Sequence, residues 1–312
     1  MRIAVFGTGA VGGYFGGRLA EAGENLVFIA RGRHLEAIQR DGLRVSSILG
    51  DFTVAPAEAT DDPAQAGPVD AVLLGVKAWQ VPEAARAMRP LLGPDTLVVP
   101  LQNGIEAADQ LRAVLGTKPV LGGLCRVMAW LEGPGQVCHA GLQPSIAFGE
   151  LDGSESARVE RLRDAFRRAR GVTVETPRHI QIALWGKLLF IASVSGVGAA
   201  SRAPAGVFRR LPETRELLEA VGREILVLAR ASDVALGEEV VAKMLAAVDG
   251  LPETATSSMQ RDLLEGRPSE LEAQLGAVVR LAREKGVPAP VTSVLYASLL
   301  PLEKKARGEL AF

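Results

Sequence analysis

The sequence predicts an α/β protein, with a doubly wound, mostly parallel sheet in its N-terminal half and an all-helical domain in its C-terminal half. Residues 1–177 alternate short apolar runs with helical patterns, as βαβ units do. Beyond Pro177 the strand signals end and long helical patterns take over. A chain of 312 residues is long enough for two such domains. We therefore expect one domain over residues 1–177 and a second over residues 178–312.

The elements follow in a regular order. The expected strands of the first domain are "RIAVF", "NLVFIA", "DAVLLGVK", "TLVVPLQNG", "PVLGGLCRVMAWLE" and an edge strand "GVTVETP". Helical patterns lie between most of them, "LRVSS" and "FTVAPAE" predict an antiparallel excursion, and "GPGQVCHA" with "QPSIAFGE" predicts a hairpin. The expected helices of the second domain are "HIQIALWGKLLFIASVS", "PETRELLEAVGREILVLARAS", "GEEVVAKMLAAVDG", "SELEAQLGAVVRLAREKG" and "PVTSVLYASLLPLEKKARG".

The composition indicates a soluble globular protein. Hydrophobic residues make up 48% and charged residues 23%, and the net charge of −1 attracts neither nucleic acid nor an anionic membrane. The two cysteines, Cys125 and Cys138, form no disulfide framework and no metal signature, which suits the cytoplasm. The apolar run "LLFIASVSGVGAA" is too short to span a bilayer, and no signal peptide precedes "RIAVF". We expect a cytoplasmic protein without a bound metal.

A glycine-rich turn follows the first strand. "GTGAVG" places Gly7, Gly9 and Gly12 in the pattern G-x-G-x-x-G, with Ala10 and Val11 between the last two. The first glycine allows a tight turn, the second lets the backbone approach a pyrophosphate, and the third lets the helix pack on the strand. The helix N-terminus then offers N–H groups to the phosphates. The motif predicts a Rossmann-type dinucleotide site; the alternative is a glycine-rich turn without a ligand.

The second strand bears on the choice of cofactor. NAD-binding units carry a carboxylate about 20 residues beyond the glycines, where it binds the ribose 2′-OH. Here the strand in "FIARGRHLEAI" closes on Arg31 instead, with Arg33 and His34 behind it. A guanidinium pairs with phosphate oxygens and stacks on adenine. Arg31 therefore favours NADPH, and the alternative is a solvated basic turn.

Two polar residues stand at the carboxyl ends of parallel strands, where open α/β sheets bind their ligands. Lys77 ends "DAVLLGVK", and Asn103 ends "TLVVPLQN". The alternative for Lys77 is a solvated strand end. The alternative for Asn103 is an ordinary Asn-Gly turn.

The helical half contributes a lysine, a glutamate and two serines. Lys187, Ile191 and Ser195 have the spacing of one helix face, and Lys187 either extends to water or lines a cleft, where it could protonate an alkoxide. "RPSELEAQ" has the form of a capping box, with Glu270 as the first helical residue. Glu270 either complements the helix dipole or accepts a hydrogen bond from a substrate hydroxyl. Ser258, in "TATSSMQRD", is either a substrate contact or an ordinary loop serine.

Taken together, these motifs resemble the ketopantoate reductases (2-dehydropantoate 2-reductases), the NADPH-dependent enzymes of pantothenate biosynthesis. The matching stretches are "GTGAVGGYFGGRLAEAG", "VKAWQ", "QNG", "LWGKLLF", "SSMQRDLLEGRPSELE" and "AREKGVPAPVT", with the last three the most specific. The resemblance covers essentially the whole chain. It implies a Rossmann domain, a helical domain and an active site in the cleft between them.

The resemblance also implies site residues. The glycine loop, Arg31, Lys77 and Asn103 match cofactor contacts, and Lys187 matches the lysine that protonates the ketone oxygen. Glu270 matches a catalytic glutamate that also holds the substrate hydroxyl. The expected substrate contacts are Asn103, Ser195, Ser258 and Glu270.

The sequence departs from this family at three positions. Ile191, Ser195 and Ala255 stand where well-studied members carry asparagines. Each lost hydrogen bond to a polar substrate costs about 1–3 kcal/mol, so reductase chemistry is better supported than any particular substrate. A reductase of another 2-oxo acid or ketone, and an NADPH-binding sensor without turnover, remain alternatives. The apolar C-terminal helices either cover the core or form a homodimer interface.

Overall fold

The computed structural model describes all 312 residues and shows the expected α/β architecture. Contacts divide the chain into two units. The first unit comprises Met1–Gln102 and Ala107–Ile180, and the second comprises Asn103–Glu106 and Gln181–Phe312. The short segment Asn103–Glu106 thus groups with the helical unit, although the chain around it belongs to the sheet unit.

Twelve strands, β1 to β12, all lie in the first unit. They are β1 Arg2–Phe6, β2 Asn25–Ile29, β3 Leu43–Ser47, β4 Phe52–Val54, β5 Glu58–Thr60, β6 Val69–Leu74, β7 Leu92–Pro100, β8 Gly122–Arg126, β9 Ala129–Gly133, β10 Gln136–His139, β11 Ser145–Gly149 and β12 Thr173–Glu175.

Thirteen α-helices, α1 to α13, connect the strands and build the second unit. They are α1 Ala10–Glu21, α2 Gly32–Asp41, α3 Pro63–Ala66, α4 Val81–Ala87, α5 Ala107–Leu115, α6 Ala157–Arg168, α7 Ile180–Ser201, α8 Ala205–Phe208, α9 Pro212–Ala231, α10 Glu239–Asp249, α11 Ser258–Leu264, α12 Ala277–Lys285 and α13 Pro290–Ala306. Short 3₁₀ helices span Ala78–Gln80 and Arg89–Leu91, and a π-helical turn spans Glu272–Gly276.

The main sheet has five parallel strands in the order β5-β2-β1-β6-β7. The chain moves outwards from β1 to one edge and then back to the other, so the order reverses beside β1. In such sheets, ligands bind outside the carboxyl ends of the strands at this reversal. The sequence prediction of a doubly wound parallel sheet is confirmed.

Both faces of this sheet are buried, which explains the near-continuous apolar strands. Along β1, Ile3 and Val5 join one core cluster, while Ala4 and Phe6 join the other. Successive strand residues point to opposite faces, so only a strand covered on both sides keeps all of them apolar. The second unit has its own core, built from α7, α9 and the helices after them.

Two details of the sequence prediction are wrong. "PVLGGLCRVMAWLE" is not one strand, because β8 pairs with β11 whereas β9 pairs with β10 in a different sheet. Likewise β10 and β11 do not form a hairpin, since β10 lies between β9 and β3, and β11 lies between β8 and β12. Local sequence patterns indicate extended backbone, but partners are chosen by the tertiary structure.

Helix α7 is longer than its apolar run suggested. The helix has 22 residues and contains an 18-residue stretch with a mean hydropathy of 1.6, so it is long and apolar enough to cross a membrane and the length expectation is wrong. However, 67% of this apolar stretch is buried inside the protein. Burial of this kind is typical of a core helix, which needs apolar residues for the same reason as a membrane span.

Candidate active site

The glycine turn between β1 and α1 has the geometry expected of a phosphate-binding loop. Gly7 has a φ of +93°, which favours glycine, and a Cβ at Gly12 would lie 2.3 Å from the Gly7 carbonyl oxygen. A Cβ at Gly9 would meet no protein atom within 4 Å. Gly7 and Gly12 are therefore needed to shape the turn, whereas Gly9 keeps its outer side clear for close approach by a ligand. Helix α1 begins at Ala10 and carries no acidic residue in its first turn, which suits an anion.

His34 supports the glycine turn through hydrogen bonds at both of its ring nitrogens. Its Nδ1 accepts a hydrogen bond from the Gly135 N–H at 3.0 Å, so its Nε2 carries the proton and donates to the Thr8 carbonyl oxygen at 2.5 Å. Thr8 also donates its hydroxyl to the Ile29 carbonyl oxygen. Burial lowers the pKa of His34 below its ordinary value of 6.5 and outweighs the opposing effect of the Thr8 contact. A neutral His34 thus connects the glycine turn to the turn between β9 and β10.

Arg31 lies beyond the end of β2 and directly before α2. Its side chain is 70% exposed and faces Glu83, which is equally exposed, with 3.8 Å between Nη2 and Oε1. An exposed ion pair of this length contributes at most about 1 kcal/mol. The guanidinium is therefore accessible to a more strongly bound anion, in the same unit as the glycine turn.

Lys77 follows β6 and is exposed at the start of the 3₁₀ helix Ala78–Gln80. The backbone before it is held by Gln102, which donates its Nε2 to the carbonyl oxygens of Leu74 and Val76 at 2.8 and 2.9 Å. This amide connects the ends of β6 and β7. The structure thus places Lys77 at the carboxyl edge of the main sheet, where the sequence predicted it.

Asn103 and Glu270 meet, although 167 residues separate them in the sequence. The Asn103 Nδ2 donates to the Glu270 Oε2 at 2.8 Å, and both residues belong to the second unit. Glu270 is only 7% exposed. Since a carboxylate accepts up to about four hydrogen bonds, Glu270 retains capacity for a substrate donor. Asn103 is therefore more than the first residue of an ordinary Asn-Gly turn.

The residue after Asn103 explains why the backbone comes so close. Gly104 has a φ of +100°, and a Cβ there would lie 2.4 Å from the Ala273 carbonyl oxygen in the π-helical turn. Arg280 adds a bridge, donating to Glu106 at 2.8 Å and to Glu272 at 2.7 Å. These contacts attach residues 103–106 to the helical unit.

The π-helical turn Glu272–Gly276 begins two residues after Glu270. The Gly276 N–H bonds to the Leu271 carbonyl oxygen, five residues back, which is the π-helical pattern. Such turns are rare and often lie at functional sites. Tyr296 donates its hydroxyl to Glu272 at 2.6 Å, and burial together with this bond raises the pKa of Tyr296 to about 12.

The predicted capping box at Ser269 is only half right. The Ser269 hydroxyl accepts from the Leu271 N–H at 3.2 Å, as a cap does. Glu272 turns instead to Arg280 and Tyr296, and the Ser269 N–H donates to Glu303, a carboxylate buried on α13. The reason is tertiary: α13 supplies a better-placed acceptor for the segment that carries Glu270.

Helix α7 carries Lys187, Ile191 and Ser195. Lys187 and Ile191 are half-buried, whereas Ser195 is completely buried. The face therefore runs from a region within reach of solvent into the core of the second unit. This gradient is compatible with both sequence interpretations of Lys187.

Comparison with known proteins adds a family. The ketopantoate reductase PanE/ApbA model matches residues 3–153, and its C-terminal companion matches residues 179–303. The chain belongs to the PanE/ApbA ketopantoate reductase family. The resemblance derived from the motifs is thus confirmed, and the chain is an oxidoreductase of this family.

Individual relatives agree with the family over nearly the whole chain. A 2-dehydropantoate 2-reductase of Halobacterium salinarum is 32% identical, covering 95% of this chain and 96% of its own length. The crystal structure of a PanE/ApbA family ketopantoate reductase from Ralstonia eutropha JMP134 is 34% identical, covers 98% of this chain and 100% of its own, and has a TM-score of 0.89. A structure of D-mandelate dehydrogenase with NADH and anilino(oxo)acetate has the same fold, with a TM-score of 0.89 at 23% identity, and covers 98% of this chain and 99% of its own.

Two further positions belong to the same helical unit of this family member. Ser257 caps α11, its hydroxyl accepting from the Gln260 N–H at 3.1 Å, so Ser258 is the first helical residue and is half-buried. Ala255 is half-buried against the helical core, and its carbonyl oxygen accepts from the Ala205 N–H. Neither Ala255 nor Ile191 provides the side-chain amide that the resemblance led us to look for.

The sequence reasoning missed Gln274 and the support provided by His34. Gln274 lies in the π-helical turn, is completely buried, and has no hydrogen-bond partner for either amide atom. The available signal was an uncharged polar residue among the mostly apolar residues of "LEAQLGAVV". In the sequence, His34 stands out only as part of a basic segment, because its two backbone partners are distant in the chain.

Proposed function

We propose that this chain reduces 2-dehydropantoate (ketopantoate) to pantoate with NADPH, a step of pantothenate and coenzyme A biosynthesis. The observation that carries the proposal is the contact between Asn103 and Glu270, which assembles two of the expected substrate residues in the unit that also contains Lys187. The family match over both halves of the chain supports the same chemistry.

The residues present fit a phosphorylated dinucleotide. The turn at Gly7 and Gly12 is close-packed, while the outer side at Gly9 is clear, as the pyrophosphate requires. Arg31 replaces the usual carboxylate and is held only by a weak ion pair, so it can bind a 2′-phosphate. When bound, NADPH supplies the hydride that reaches the carbonyl carbon of the substrate.

In this proposal Lys187 acts as the general acid. Its ammonium group donates a hydrogen bond to the ketone oxygen and then a proton as negative charge develops there. Half-burial suits this role, because the lysine reaches solvent for reprotonation while its charge interacts more strongly than in bulk water.

Glu270 positions the substrate. Its carboxylate, oriented by the Asn103 amide, accepts a hydrogen bond from the substrate hydroxyl. The π-helical turn behind it and the anchor of Ser269 on Glu303 keep the carboxylate in place. Ser258 and Ser195 are proposed as further donors to the substrate.

The Lys187→Met variant tests the proposal. A positioned general acid contributes about 10²- to 10⁴-fold, so we expect kcat for ketopantoate to fall by that factor while NADPH affinity stays the same. Steady-state assays and fluorescence titration measure the two quantities. Lys243→Met, at an exposed lysine on α10, is the matched control and should leave both unchanged. Near-normal turnover by a folded Lys187→Met protein contradicts the assignment. Tight NADPH binding without oxidation by any ketone, in the unmodified protein, supports a sensor instead.

A second candidate is a reductase of another 2-oxo acid. Ile191 and Ala255 favour it, since neither can replace a side-chain amide in binding a polar substrate. The D-mandelate dehydrogenase structure shows that this fold accommodates a different 2-oxo compound together with NADH.

A panel of 2-oxo acids separates the two candidates. If ketopantoate is the substrate, its kcat/KM should exceed that of aliphatic and aromatic 2-oxo acids by about tenfold or more, because unpaired polar groups penalise a substrate lacking the hydroxyl. A higher kcat/KM for phenylglyoxylate or 2-oxoisovalerate selects the second candidate.

A further inference from the structure

Gln274 differs from the other buried glutamines of this chain. Gln102 donates its Nε2 to Leu74 and Val76, and Gln260 donates its Nε2 to the Ala203 carbonyl oxygen, so each fastens a piece of backbone. Gln274 has no protein partner at Nε2 or at Oε1, although its side chain is completely buried. Buried polar groups in folded proteins are nearly always paired, and an exception calls for an explanation. The amide of Gln274 has no structural task in the fold.

Ser195 is a similar exception on α7. Ser193 and Ser201 donate their hydroxyls to the carbonyl oxygens four residues earlier, at 2.8 and 2.7 Å. This is the usual way for a serine within a helix to be satisfied. Ser195 is completely buried and makes no such bond, so its hydroxyl also has no protein partner.

These two exceptions lie on neighbouring elements of the same unit. A Cβ at Gly196 of α7 would lie 3.0 Å from the Leu275 side chain, so the residues next to Ser195 and Gln274 are in contact. Gln274 is also one turn beyond Glu270, to whose carbonyl oxygen its N–H donates at 3.0 Å. The unpaired amide therefore lies one helical turn from the carboxylate proposed to hold the substrate, and the unpaired hydroxyl lies on the helix that packs against the same segment.

We propose that Gln274 and Ser195 determine specificity by binding a neutral polar group, such as a hydroxyl, on the side chain of the 2-oxo acid. The inference rests on the proposed function for where the substrate binds. The polarity of the groups that would contact the substrate follows from the fold alone. An amide offers both donors and an acceptor, and a serine hydroxyl can do either. A hydroxyl can donate its one proton to Glu270 and accept from the Gln274 Nε2 and the Ser195 hydroxyl, whereas a carboxylate there would face the Glu270 carboxylate with no proton to share.

The test compares two substrates that differ in one oxygen atom. Ketopantoate and 3,3-dimethyl-2-oxobutanoate have the same carbon skeleton, but the second lacks the hydroxyl. Their kcat/KM values are measured for the unmodified protein and for Gln274→Leu, Ser195→Ala and the control Ser193→Ala. We expect Gln274→Leu to reduce the preference for the hydroxylated substrate about tenfold or more, mainly by lowering kcat/KM for ketopantoate. Ser195→Ala should shift the preference in the same direction, and Ser193→Ala should not.

Thermal unfolding of the ligand-free protein provides a second readout that is independent of turnover. Replacing an unpaired buried amide by an apolar group of similar size leaves the stability of the fold unchanged or raises it, so Gln274→Leu should keep or raise the Tm. Gln260→Leu, which loses the bond to Ala203, should lower it. A purely structural Gln274 would lower the Tm in the same way.

The outcomes separate this inference from the proposed function. The inference is overturned if Gln274→Leu changes the substrate preference by less than twofold. It is also overturned if Gln274→Leu lowers the Tm as Gln260→Leu does. Neither result affects the proposal of ketopantoate reduction. If the unmodified protein reduces neither ketone, the proposed function fails. In that case the affinities of the same two compounds are measured by calorimetry in the presence of NADPH. The inference requires Gln274→Leu to weaken the binding of ketopantoate more than that of 3,3-dimethyl-2-oxobutanoate.

Discussion

At the scale of single residues, the most informative side chains are those whose surroundings differ from the ordinary. Arg31 is a cation where NAD-binding folds usually have a carboxylate, and it forms a long ion pair of 3.8 Å with the exposed Glu83. Glu270 is a carboxylate buried to 7% exposure that an amide from a distant loop holds in place. The Arg31 ion pair contributes little to the stability of the fold, and both arrangements suit the roles in ligand binding proposed for these residues.

Exchanging Arg31 for a carboxylate should reverse the cofactor preference. A charge-assisted hydrogen bond contributes about 1.5–3 kcal/mol, and about 1.4 kcal/mol corresponds to tenfold. We therefore expect Arg31→Asp to lower kcat/KM for NADPH about tenfold to a hundredfold, with little loss for NADH. Arg33→Asp, which makes the same charge change two residues away, should have a smaller effect. Equal use of NADPH and NADH by the unmodified protein would contradict the role of Arg31.

At the scale of elements, the two candidate binding regions are held in different ways. The glycine turn is formed by backbone geometry and by His34, which connects it to the β9–β10 turn. The segment that carries Glu270 is formed by side chains, with Glu303 and Arg280 as its anchors. Acid should therefore affect the glycine turn through its single histidine support.

The pH dependence follows from the lowered pKa of His34. Because burial lowers this pKa below 6.5 in the folded protein, protonation favours the unfolded state, where the pKa is ordinary. The stability contribution of neutral His34 is complete above pH 6.5 and is lost as the pH falls through the lowered value. Protonation also removes the acceptor for the Gly135 N–H, so NADPH affinity should fall over the same range.

His34→Gln tests this coupling, since glutamine keeps a donor for Thr8 but does not titrate. Tm and NADPH affinity should fall less on acidification of His34→Gln than of the unmodified protein. The control is His179→Gln, at an exposed histidine, which should behave like the unmodified protein. Comparing the proteins at each pH cancels the protonation of the 2′-phosphate itself, whose pKa is about 6. Identical profiles for all three proteins would contradict the role of His34.

At the scale of the whole molecule, the chain combines two units with separate cores, and the proposed chemistry divides between them. Cofactor candidates such as Gly9 and Arg31 lie in the first unit, and substrate candidates such as Lys187 and Glu270 lie in the second. Asn103 is the exception, because it follows a strand of the first unit yet groups with the second. The family model matches both halves, which indicates that this division is common to the family.

Much of this could be predicted from the sequence, because the signals were local. The parallel sheet follows from apolar runs that must be buried on both faces, and the glycine turn follows from residues within a few positions of one another. The strand partners of β9 and β10 could not be predicted, since extended patterns do not specify a neighbour. The capping box at Ser269 failed for a similar reason: Glu303, 34 residues away, competes for the same N–H.

Residue types and their short spacings were enough to predict the fold class, the family and the candidate chemical groups. Which of those groups lie together could be seen only in the folded protein. It joined Asn103 to Glu270, showed that the amide of Gln274 and the hydroxyl of Ser195 are buried without partners, and connected His34 to the glycine turn. The physical reason is that hydrogen bonding and burial are properties of neighbours in space, and these neighbours are up to 167 residues apart in the chain.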